Sequence, residues 1–169
     1  MLHIAIYVWI LFAAWKWADF KNWKSYHATM LFMSVSGLTY ALLANDLTFY
    51  LWRYPTTDIL SAELTDFIYC VLMYPLIVLL YLSHYPETKF RRILRILKYV
   101  VIFDVLEVIG LETGSISHNH GWDMAWSTWF NLVTFCMLKI HHETPLIAYI
   151  LSALIISYLL NHFQVPVWE

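Results

Sequence analysis

Two carboxylates three residues apart, Asp104 and Glu107, fall inside a stretch that is otherwise almost wholly apolar. That spacing puts both on one helical face. A carboxylate at mid-depth in hydrocarbon costs about 2.5–3.5 kcal/mol on insertion scales, and such groups face a bundle interior or a water-filled cavity. No basic residue of their own segment shares the face, so they must pair with another helix, reach water or take up a proton. Two chemistries follow. One is a proton or cation relay, or a polar ligand site. The other is an interhelical clamp of hydrogen bonds to Asn, Ser, Thr or Tyr groups. A matching stripe exists further on, where Asp123, Ser127, Asn131 and Thr134 recur at helical steps. The natural arrangement turns this stripe toward Asp104 and Glu107 and leaves Trp122, Trp126 and Trp129 partly outward.

His118 and His120, with Glu112 and Asp123 nearby, offer the imidazole and carboxylate donors that suit a divalent metal. A His-x-His pair in a loop fixes no coordination geometry, however, and the glycine-flanked segment 114–121 reads equally as a polar turn. Lys89, Arg91, Arg92, Arg95 and Lys98 form a basic run. Four of them fall at every third position, as in a voltage-sensing helix. No selectivity-filter loop accompanies them. The reading that fits is a polybasic segment that snorkels to the membrane surface and contacts anionic lipid. The conserved phosphate cradles, serine elbows and metalloprotease helices of soluble enzymes have no counterpart here, and only four glycines are available to build one.

The elements that must position these groups follow from composition. The 169 residues are 61% hydrophobic and 13% charged, too apolar for an ordinary soluble domain. A formal charge of −2 gives no reason to expect a nucleic-acid partner. Six segments approach the length of a membrane crossing, at about 2–18, 28–44, 64–82, 93–111, 122–138 and 145–163. Each must be helical, because lipid offers the backbone no hydrogen-bond partner. The expected fold is therefore all-α, a single domain of about six transmembrane helices in a polytopic bundle. Nine of the ten Lys and Arg residues fall in connections that would share one side, and Arg53 alone lies in an alternate connection. Positive charge marks the cytoplasmic face, which places both termini outside a cell membrane.

Finer marks accompany the spans. Asp46, Asp58, Glu63, Glu112 and Glu169 fall in the outer connections, and tryptophans such as Trp52, Trp122 and Trp168 lie near predicted ends as an aromatic belt. Pro75, mid-segment, predicts a kink in the third helix. Thr144 before Pro145 predicts an N-cap. Gly37-x-x-x-Ala41 predicts close helix packing within the chain. Cys70 and Cys136, about 15 Å apart in depth, read as free thiols.

Several motifs occur together in order: the Asp19/Lys21/Lys24/Tyr26 connection, the Leu82-Ser83-His84-Tyr85-Pro86 helix ending, and Glu107 within the fourth helix. Gly114, Gly121-Trp122 and a closing stretch over 138–150, with His141 or His142 before Pro145, complete the set. With these the chain resembles a family of small uncharacterised multi-pass integral membrane proteins of spore-forming Gram-positive bacteria. The resemblance implies a bacterial cell-membrane protein and carries over no activity, cofactor or catalytic residue. The leading expectation is a non-enzymatic membrane component that binds lipid, another membrane protein or a second copy of itself, without a cofactor. The alternatives are a small transporter through the Asp104/Glu107 seam, and a metal-assisted lipid-modifying enzyme using His118, His120 and Glu107.

Overall fold

Long apolar runs with few glycines satisfy their backbone polar groups internally as helices, and the described residues are all-α apart from one two-residue ladder. The computed structural model describes residues 2–44, 49–57 and 59–166. Asp46, Asp58, Trp168 and Glu169 lie outside the described residues. Six helices run among the described residues: α1 (Leu2–Trp17), α2 (Trp23–Ala44), α3 (Ala62–Leu82), α4 (Lys89–Glu112), α5 (Met124–Glu143) and α6 (Pro145–His162). Several extend past the expected spans because a helix continues through polar residues at which an apolar run stops. Thus α2 takes in Lys24 and Ser25, α4 begins at the basic run, and α5 continues through His141 and His142.

Among the described residues two helices, α3 and α6, are long and apolar enough to cross a membrane by length and composition, while α1 is apolar but shorter. The charges and polar groups of the other three lower their hydropathy. The helices alternate in direction. At one end the α1–α2 turn meets the α3–α4 turn, where the Asp19 amide donates to Ser83 Oγ at 2.8 Å. Lys139 lies over the Tyr85 ring at the same end, 4.5 Å from its centroid. At the other end β1 (Trp52–Arg53) pairs antiparallel with β2 (Ser117–His118), Trp52 opposite His118.

Helix α3 is the central element, packing on both α1 and α2, while α5 packs on α2, α4 and α6. Its buried Tyr81 donates to the Phe135 carbonyl of α5 at 2.8 Å. Where the sequence predicts a kink at Pro75, the structure shows a π-helical turn just ahead of it: residues Tyr69–Met73 are π-helical, and the Tyr74 amide donates to the Tyr69 carbonyl. A proline has no amide to continue the ladder, and a π turn re-registers the backbone ahead of it. Gly37 of α2 seats against this segment. A Cβ there would lie 2.8 Å from Cys70 Sγ and 2.9 Å from the Tyr74 ring. The close approach is therefore internal to the chain, and both cysteines are free thiols.

Two end signals read differently in three dimensions. Thr144 makes no side-chain cap for α6; its hydroxyl turns back to the Ile140 carbonyl at 3.2 Å and finishes α5 instead. Arg95 donates to the carbonyls of Leu80, Tyr81, Ser83 and His84, and Arg92 to that of Pro86 at 3.0 Å. A guanidinium at a helix C-terminus satisfies orphan carbonyls and opposes the negative dipole end. These two arginines thus close α3 internally, and Lys89, Arg91 and Lys98 remain exposed.

Substituting Gly37→Ala overpacks the α2–α3 contact, at an expected cost of about 1–3 kcal/mol. A drop in Tm of the detergent-purified protein would register it, and an unchanged Tm would show that the contact can relax.

Candidate functional site

The site grows from the way α4 ends. Thr113 closes the helix, Gly114 takes a positive φ of 67°, and the amides of Ser115 and Ile116 both return to the Gly110 carbonyl. This left-handed reversal suits glycine, which has no Cβ to clash. It folds the following residues back along α4, where Ile116 covers Gly110 so closely that a Cβ there would lie 2.5 Å from Cδ1. The returning chain forms β2 and brings His118 to the carboxylate that precedes it by less than one helix length.

Glu107 is 8% exposed. Its Oε1 accepts three hydrogen bonds: from His118 Nε2 at 2.7 Å, from Trp52 Nε1 at 2.9 Å and from Ser127 Oγ at 2.5 Å. The carboxylate acceptor places the imidazole proton on Nε2. Ser127 in turn accepts from Trp122 Nε1 at 2.8 Å. Trp52 is held by Tyr40 of α2, whose hydroxyl accepts the Trp52 amide at 2.9 Å and donates to the Trp52 carbonyl. Glu107 Oε2 accepts no hydrogen bond from the described residues. Bonds to a charged group contribute roughly 1.5–3 kcal/mol each, so this shell offsets much of the cost of burial.

Asp104 occupies a separate cluster. Its Oδ2 accepts from Thr128 at 2.8 Å and its Oδ1 from Asn131 Nδ2 at 2.8 Å. The polar stripe of α5 does meet both acids, Ser127 at Glu107 and Asn131 at Asp104. Asp123 is not part of it: exposed at the helix start, it caps α5 by accepting from the Trp126 amide at 3.0 Å. Thr134 lines the interior without bonding to either acid. Trp122 is buried rather than turned outward, because Ser127 takes its N–H and Phe163 packs on it at 5.4 Å between centroids.

Expected metal donors have separate partners. His120 is stacked on Phe49 at 4.0 Å, with its Nδ1 3.0 Å from the Tyr50 carbonyl, while His118 faces Glu107. Among the described residues no three His, Cys, Asp or Glu side chains are grouped to hold a metal ion. Trp52, Tyr40 and Thr128 were not legible as site residues. The indole N–H of Trp52 is the one signal for it, a donor that needs a partner when buried.

Behind Glu107 lies a cavity of about 800 Å³ between the helices. Most of its wall is apolar, including Ile10, Phe103 and Leu138. Glu107, Ser127, Asn131 and Thr134 reach it at one region, Ser83, His84, Arg95 and Lys98 at another; Asp104 does not line it. Twelve residues of α4 separate Arg95 from Glu107, about 18 Å at 1.5 Å per residue. Next to Glu107 the wall is aromatic. Trp52 meets Tyr54 at 4.6 Å, and Tyr54 stacks on Tyr69 at 4.6 Å. Burial pushes the Tyr54 phenol well above its ordinary value. Comparison with protein-family models, curated proteins and solved structures finds no match.

Removing the carboxylate by Glu107→Ala strands the Trp52, His118 and Ser127 donors, at about 1–3 kcal/mol for each one left buried and unpaired. Glu107→Gln retains an acceptor oxygen. Thermal melts should therefore fall much further for the alanine variant; equal losses would mean that the donors find other partners.

Proposed function

We propose that this chain is a multi-pass protein of the cell membrane that binds a lipid-like amphiphile in the cavity between its helices, without enzymatic turnover. The cavity carries this reading. At about 800 Å³ it lies within the range of roughly 300–1,000 Å³ typical of small-molecule sites. A water cluster needs polar partners, and most of this wall offers none. An apolar body with a polar head fits both the wall and its two polar regions.

The exterior supports a lipid surrounding. Only 6% of the most apolar window of α6 is buried, the reverse of a soluble core helix. Large apolar side chains are exposed on α1, α2, α4 and α6, among them Val8, Trp15, Leu42, Val101, Leu146 and Leu154. Exposed apolar surface in this amount fits contact with a membrane or a partner. The proposal takes the six helices as crossings, and the charge pattern is what orients them, with the basic connections inside and the termini outside. On this reading the exposed Lys89, Arg91 and Lys98 meet anionic lipid headgroups, and the resemblance to small bacterial membrane proteins points to the same setting. The transporter alternative loses Asp104 from its path, since that acid lies outside the cavity wall.

Two measurements test the proposal. Cysteines placed at Lys21 and Phe90 should resist a membrane-impermeant thiol reagent in intact cells, and one at His120 should react; the opposite pattern inverts the orientation. Native mass spectrometry should find a lipid adduct on the wild type that Thr134→Trp, which fills the cavity, diminishes. A bare wild-type protein, released gently from its membrane, would refute amphiphile binding.

A further inference from the structure

We infer that the Glu107 end of the cavity is a binding site for a lipophilic organic cation, an ammonium or phosphonium centre carried on an apolar body. This deepens the amphiphile-binding reading and rests on it. Two observations converge. First, Glu107 is more than nine-tenths buried and lines the cavity, yet its three donors all crowd onto Oε1. Oε2 is left without a hydrogen bond from the described residues. Second, the wall of the same cavity includes Trp52, whose indole reaches Glu107, with Tyr40, Tyr54 and Tyr69. Aromatic faces attract cations, most strongly when the site is desolvated, and aromatic walls are the usual means of holding quaternary ammonium groups.

Charge at the far end does not reverse this preference. Arg95 also lines the cavity, but its guanidinium is committed to four main-chain carbonyls. Lys98 is exposed, where water competes for its charge. The sign of the ligand is therefore set where carboxylate and aromatic rings meet out of water. Its apolar body extends along α4 toward the basic end. A small inorganic cation is disfavoured, since the wall beside Glu107 supplies rings rather than a shell of oxygens. No covalent step is involved.

The test uses the full chain in lipid nanodiscs and two probes of similar aryl bulk, tetraphenylphosphonium and uncharged triphenylphosphine oxide. The wild type should bind tetraphenylphosphonium saturably and the neutral probe far more weakly. Glu107→Gln keeps the acceptor for Trp52, His118 and Ser127, and should weaken phosphonium binding by roughly tenfold or more while leaving the neutral probe unchanged. A general loss of packing would instead weaken both probes. Equal wild-type affinity for the two probes, or phosphonium binding indifferent to Glu107→Gln, overturns the inference. If lipid adducts persist while phosphonium fails to bind, only the cation preference is lost; if both are absent, the cavity reading falls with it.

Discussion

The Glu107 carboxylate lies out of water, and each donor it gathers comes from a different part of the chain. Trp52 arrives from the connection between α2 and α3, His118 from the loop after α4, and Ser127 from α5. A buried acid without donors is among the costliest groups a fold can hold. Its demand therefore fixes where two loops and a helix must sit. The β1–β2 ladder follows from this convergence: Trp52 and His118 face one another across it, and both reach the same oxygen. Tyr40 extends the constraint into α2 by holding the Trp52 main chain on both sides.

The opposite end is organised by another polar requirement. A helix leaves its last carbonyls without partners, and α3 ends among apolar neighbours. Arg95 and Arg92 supply the missing donors from the first turns of α4. Both ends are thus closed by polar contacts between elements, while the cavity between them is lined mostly by apolar side chains.

Much of this was legible from spacing. The apolar runs mark all six helices, and the α5 stripe correctly points Ser127 and Asn131 at the two acids. Gly37 reads correctly as a close-packing position. What escaped depends on contacts that periodicity does not encode. Thr128 lies off the stripe yet its hydroxyl donates to Asp104 across the contact of α4 and α5. Trp52 is separated from Glu107 by 55 residues and sits in a connection whose two-residue strand is too short to leave an alternating pattern. The basic run suggested lipid contact for five residues, but which of them turn inward depends on how the α3–α4 corner folds. Asp123 matched the stripe by spacing although its position at a helix start favours capping. Apolar run lengths underestimated α4 and α5 because charged residues end a run without ending a helix.

The sequence distances within the Glu107 shell differ in what they cost the chain. His118 and Ser127 lie 11 and 20 residues away, whereas Trp52 lies 55 away. Closing a short loop forfeits less chain entropy than closing a long one. On chain entropy alone the α4–α5 hairpin is therefore the less costly source of donors for the acid. The indole of Trp52, the longest-range of the three contacts, is the one that ties the N-terminal half of the chain to that hairpin.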